Sequence, residues 1–159
     1  MKKMTLFVVI AIIVSVFFHL FPNPYSLTLY SPRSDEIYFQ EKVAAGDEVD
    51  VSWTHSVEHT PWVETLRISE DGDLIMVETQ FQSYGAGAPE NTSGTVSIED
   101  GFIVISGINE VYETYNWFHS HHADFTITVG DETTIEPTDL PDQTAIEMKV
   151  ERSLFYFSG

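Results

Sequence analysis

The sequence contains no cysteine. That absence excludes disulfides, thiolate nucleophiles, cysteine-ligated zinc and a lipid-modified N-terminal cysteine. Cations are almost as scarce. Seven Lys and Arg stand against 25 Asp and Glu, a formal net charge of -18. Two of the seven, Lys2 and Lys3, open the chain, so beyond residue 24 five cations face all the acids. Such a surface repels nucleic-acid phosphates and anionic lipid headgroups, and no nucleic-acid partner is expected. Its plain consequence is solubility in high salt or an alkaline exterior, where self-repulsion is screened. Capture of cations or of a basic partner is the sharper alternative. Also missing are an amphipathic helix, an internal repeat, a phosphate-binding loop and the strand–turn–helix context of a nucleophilic serine at Ser56 or Ser83. No catalytic residue is expected.

Only one stretch is long and apolar. Met4 to Phe21 runs without a charge behind Lys2 and Lys3. As a helix it would span roughly 27 Å, close to a hydrocarbon core. Pro22 and Pro24 would end it, and no A-x-A-like cleavage site follows. We therefore expect an uncleaved signal anchor over residues 1–24. Its transmembrane helix would be residues 4–21, with the N-terminus cytoplasmic and residues 25–159 outside the cytoplasmic membrane.

Beyond Tyr25 the hydrophobic period is two. Short β-branched and aromatic runs alternate with Asp, Gly and Pro clusters. Candidate strands are 26–31, 36–43, 48–57, 62–69, 73–83, 95–99, 102–107, 124–129 and 145–151. Residues 131–144 read as an acidic loop with room for one short strand. The expected fold is all-β, an antiparallel sandwich or barrel behind one N-terminal transmembrane helix.

Register brings a polar rung into view. On residues 49–57 the odd positions, Val49 to Val57, share the apolar face and carry His55. On the next strand Trp62, Glu64, Leu66 and Ile68 share a face. A two-residue turn at Asp71-Gly72 would set Ile68 against Ile75, Leu66 against Val77, Glu64 against Thr79 and Trp62 against Phe81. A tight turn at His59-Thr60 would set His55 against Glu64, and a looser one would shift the pairing by two and keep the faces. An ionisable pair on an oily face is expensive unless hydrogen-bonded. It is either a satisfied core pair or the floor of a pocket. The third strand runs into Gly85-Ala86-Gly87-Ala88-Pro89, a loop that would emerge beside the Glu58–Pro61 turn. The expected ligand- or partner-binding set is His55, Ser56, Glu58, Glu64, Thr79, Gly85, Ala86, Gly87 and Pro89.

Residues 55–59 also spell H-x-x-E-H, a zinc-hydrolase pattern that works on a helix. Here Val, Thr, Ser and Trp surround it and Pro61 follows, so it reads as strand and turn. A second cluster, His119, His121 and His122, reads as a solvent-exposed loop, with a transition-metal clip as the alternative. A divalent metal is the one cofactor these side chains would take, with His55, His59, Glu64, His119 and His121 as candidate ligands.

The segments "WTHSVEHTPWVETLRI" and "DLIMVETQFQSYGAGAP" resemble the DUF1850 family of small bacterial and archaeal proteins. The matching residues are His55-Ser56-Val57-Glu58, Pro61, Glu64, Glu78-Thr79-Gln80-Phe81 and Gly85 to Pro89. Members are often encoded beside TRAP-type transporters of the TAXI class. The resemblance thus implies an accessory role in solute transport at the outer face of the cytoplasmic membrane. A metal- or cation-binding protein, or a metal-dependent enzyme, using the His/Glu cluster is the alternative reading.

Overall fold

The computed structural model describes residues 25–83, 85, 94–130 and 133–152. Eleven strands follow in chain order: β1 (Tyr25–Tyr30), β2 (Ile37–Val43), β3 (Glu48–Thr54), β4 (Pro61–Ile68), β5 (Leu74–Phe81), β6 (Thr95–Glu99), β7 (Phe102–Tyr112), β8 (Tyr115–His119), β9 (Thr126–Val129), β10 (Thr133–Ile135) and β11 (Thr144–Arg152). They form two antiparallel sheets. One has four strands in the order β2-β1-β11-β8 and the other has seven in the order β10-β9-β3-β4-β5-β7-β6. Neither sheet closes on itself, so the barrel alternative falls. Single turns of 3-10 helix at His121–Ala123 and Pro137–Asp139 complete the described structure. Among the described residues no helix is long and apolar enough to cross a membrane. The span expected over residues 4–21 lies outside them.

The period-two pattern does what the alternation requires: it puts one row of side chains between the sheets. Leu27, Leu29, Ile146 and Met148 of the smaller sheet share one core with Val49, Val51, Leu66, Ile68, Leu74, Ile127 and Val129 of the larger. Burying these aliphatic side chains between the sheets supplies the main favourable contribution to folding.

The β4–β5 pairing differs from expectation near the turn and agrees with it farther away. The connection is the five-residue loop Ser69–Asp73, not a two-residue turn. The Ser69 hydroxyl accepts the Asp71 and Asp73 N–H groups at 3.2 and 2.9 Å. Gly72 adopts φ +91°, and a Cβ there would lie 2.7 Å from the Tyr25 ring. Ile68 therefore faces Leu74, and Leu66 faces Met76. Leu74 and Met76, not Ile75 and Val77, enter the core. A bulge at Val77 then takes up one residue and returns the strand to register. Beyond it Glu64 opposes Thr79 and Trp62 opposes Phe81, as expected. Across from the bulge, β7 bends through Gly107 (φ +75°) and Asn109 (φ +57°). That glycine suggests a strand end at residue 107, yet β7 runs on to Tyr112 because the bend pairs with the bulge of β5.

The β3–β4 pairing shifts further. Trp62 faces Trp53, not Val57, and Val51 faces Glu64. The strand stops at Thr54 because residues 55–60 are spent on a six-residue turn. The expected cross-strand His55–Glu64 pair is not formed. The two strand faces are nevertheless those expected, since the shift is an even number of residues.

Candidate functional site

The turn at residues 55–60 is built around His55. Its backbone N–H donates to the Thr60 carbonyl at 2.9 Å, and its carbonyl accepts the His59 N–H at 2.9 Å. Its ring Nδ1 accepts the backbone N–H groups of Glu58 at 3.2 Å and Val57 at 3.4 Å. His59 takes the left-handed conformation, φ +54°, which histidine tolerates better than most side chains. The imidazole of His55 is thus a capping group, and its ring stacks on Trp62 with centroids 5.7 Å apart. His59 is exposed. The H-x-x-E-H letters therefore form a turn and not a helical zinc site.

The expected meeting of this turn with the glycine loop is present. Ser83 Oγ lies 3.3 Å from Glu58 Oε2. Gly85 sits so close to Glu58 that a Cβ there would fall 2.1 Å from Oε1. Ala86, Gly87 and Pro89 lie outside the described residues. Thr79 is 1% exposed and directs its hydroxyl to the Val63 carbonyl at 3.3 Å, so it is satisfied within the sheet.

Glu64 occupies the centre of a cleft between the sheets. Two adjoining cavities, about 430 and about 450 Å³, share Trp53, Glu64 and Phe125. His55, Ser56 and Trp62 line the first, with Phe118 and Ser120 from the other side. Tyr112, Tyr115 and Trp117 line the second. Phe118 is 58% exposed, an apolar side chain left at the mouth. Ring contacts run through the walls: Trp53 stacks on Trp62 at 5.7 Å and on Phe125 at 5.5 Å, and Trp62 stacks on Phe81 at 4.6 Å. His55 and Glu64 thus face one cavity, although they are not opposed on neighbouring strands.

A hydrogen bond spans the cleft. The Tyr115 hydroxyl, on β8 of the smaller sheet, donates to Glu64 Oε2, on β4 of the larger, at 2.5 Å. Burial pushes the Glu64 carboxyl above its usual range. The Tyr115 hydroxyl and the nearby Trp62 indole pull it back, and Glu110 raises it further. The Tyr115 phenol is raised as well, first by burial and then by the Glu64 charge. Tyr112 is pushed up to about 12 by burial and by Glu110. The Trp62 indole N–H is near enough to favour the carboxylate yet outside hydrogen-bond geometry. Trp62 is 6% exposed, and its Nε1 has no hydrogen-bond partner.

The histidine cluster divides. His119 ends strand β8, where Tyr115, Trp117 and His119 alternate with the more exposed Asn116 and Phe118, so it is not in a loop; His121 and His122 lie past the strand in the 3-10 turn, and His122 is exposed as expected. His119 is 0% exposed. Its Nδ1 accepts the Trp117 indole N–H at 3.3 Å, which places the proton on Nε2 for the Pro137 carbonyl at 2.9 Å. Burial lowers its pKa, against the Pro137 bond. His121 Nε2 meets the Leu140 carbonyl at 2.8 Å, and its backbone N–H donates to Asp142 at 2.8 Å. These rings tie β8 to residues 137–142. Among the described residues no three His, Asp or Glu side chains gather as a metal-ligand set.

Sequence reasoning missed the aromatic lining, Trp53, Phe125, Tyr115 and Trp117 above all. The alternation of Tyr115, Trp117 and His119 was the available signal for β8.

A family model described as "Domain of unknown function (DUF1850)" matches residues 49–135, more than half of the chain. No curated protein and no solved structure matches it.

Proposed function

Because the chain belongs to the DUF1850 family, a domain of unknown function, we propose its role from the cleft: it is a non-catalytic binding module that holds a small molecule between its two sheets. It works outside the cytoplasmic membrane, tethered by a helix at residues 4–21, as an accessory of a TRAP transporter of the TAXI class. The supporting observation is the floor of the cleft. A carboxylate is held in a half-closed aromatic slot where burial disfavours its charge, beside a buried indole N–H with no partner. Folding gains little from either group, since apolar side chains of similar volume would fill the space without the desolvation cost. A ligand that completes both groups accounts for them. Cavities of this size suit a small solute.

The transporter association is supported by the family resemblance and by the anchor pattern of residues 1–24. It is tested by co-purification of the full-length protein from native membranes in mild detergent. The expected result is enrichment of TRAP–TAXI membrane subunits, and a rise in melting temperature when a solute of that transporter is added. Absence of enrichment overturns the association. Absence of any thermal response to transported solutes overturns the binding role.

A further inference from the structure

The chemistry of the cleft narrows the ligand class. We propose that it takes a small organic cation, an ammonium or alkylated ammonium group on an apolar body, with the charge beside the Glu64 carboxylate and the body against Trp53, Trp62 and Phe125. This assignment rests on the binding role proposed above.

Charge is the first argument. Glu64 is common to both cavities, and among the described residues no Lys or Arg lines either. An anion would meet a carboxylate and no counter-charge. A neutral apolar ligand would bury Glu64 more deeply and add nothing to the Tyr115 hydrogen bond that offsets its charge. The second argument is the surface around it. Trp53 stacks on Trp62 and Phe125 and lines both cavities, so the aromatic wall offers the apolar body of the ligand a flat surface. The third is the buried indole N–H of Trp62, unpartnered at the same floor. It asks for an oxygen acceptor on the ligand body. The field of a chain with net charge -18 adds a long-range attraction of the right sign.

The groups that face Glu64 are Tyr115 of β8, Tyr112 and Glu110 of β7, Thr79 of β5, the Trp62 indole, and His55 on the cavity wall. A bound cation favours the charged carboxylate, so binding releases the Glu64 proton and strengthens as the pH rises through the raised carboxyl range.

Acetylcholine and its neutral isostere, in which a quaternary carbon replaces the ammonium nitrogen, differ in charge and hardly in shape. Both carry an ester oxygen for the indole. All three tryptophans of the chain line the cleft, so intrinsic fluorescence of the full-length protein in detergent reads occupancy. The cation is expected to bind on the order of tenfold tighter than the isostere. Glu64→Gln should reduce that preference to about twofold or less and flatten its pH dependence. The comparison of two ligands on the unaltered protein needs no variant to fold. Equal binding of the two overturns the cation assignment and leaves a ligand cleft standing. Quenching by neither, with a folded spectrum by circular dichroism, overturns the assignment and withdraws support from the binding role as well.

Discussion

The two halves of the space between the sheets are built by the same strands from different side chains. On β3, Val49 and Val51 lie in the sealed half and Trp53 in the open half. On β4, Leu66 and Ile68 are sealed, while Trp62 and Glu64 line the cleft. The sealed half is aliphatic, and most of its members are fully buried. Branched side chains interdigitate from both sheets and exclude water. The open half is aromatic. Flat rings stack along one wall, and one phenol reaches across to one carboxylate. Rings touch across the gap as well, Trp117 on Phe125 at 6.2 Å and Tyr112 on Tyr115 at 6.0 Å, and a slot remains between these contacts. One half supplies stability, and the other has room for a guest.

The largest effect that would test this division is in the sealed half. Leu66→Ala removes a fully buried side chain and should cost about 3 kcal/mol in urea unfolding. Ligand affinity should not move, because Leu66 lines neither cavity. A cost below about 1 kcal/mol would remove the distinction between the halves.

His119→Ala comes next, at about 2 kcal/mol, since it vacates a buried site and strands the Trp117 N–H and the Pro137 carbonyl. Its pH signature has a definite sign. Burial lowers the His119 pKa in the folded state, so below the ordinary value of 6.5 the unfolded chain takes a proton that the folded one resists. The unaltered protein should lose stability as the pH falls through that value, and the variant should lose less. Denaturation midpoints of both proteins across the acid range check this.

Tyr115→Phe should cost about 1 kcal/mol at pH values where Glu64 is charged, through loss of the bond that joins the halves of the cleft. Here the sign is opposite. The Glu64 carboxyl is raised in the folded state, so its contribution is fully present below the ordinary value of 4.5 and is lost as the pH rises through the raised value. The variant removes an influence that lowers this pKa, so its destabilisation should shrink on acidification. A destabilisation independent of pH would break the assigned Tyr115–Glu64 coupling.

Gly85→Ala should have the smallest effect, below about 1 kcal/mol. The nearest atoms to the added Cβ belong to the end of the flexible Glu58 side chain, which can swing aside. The expected readout is a nearly unchanged melting temperature. A large loss would mean that the contact between residue 85 and the Glu58 turn is rigid.

Much of the larger sheet was legible because its signals are local. Residues 49–53 and 95–99 alternate strictly, 62–68 does so apart from Val63 and Glu64, and their strands lie where the alternation puts them. The Glu64–Thr79 and Trp62–Phe81 pairings were also legible, although by two cancelling deviations: a longer loop at Ser69–Asp73 and a bulge at Val77. The His55–Glu64 opposition was not. A histidine whose ring caps its own turn ends a strand early, and nothing in the alternation of residues 49–57 announces that. The cleft itself was only half visible. His55, Ser56 and Glu64 stand in one motif, but their aromatic partners come from β8 and from Phe125, far along the chain.

The amino-acid order alone determined the two-faced strands, the inward placement of Glu64 and the extreme acidity. Each follows from residue type and a period of two, which need no knowledge of what lies opposite. Only the tertiary structure decided that Tyr115 meets Glu64, that His119 is sealed in, and that a slot stays open between the sheets. Those outcomes depend on which strand edges face one another across a shared core, a matter settled by packing over long sequence separations and not by any local pattern.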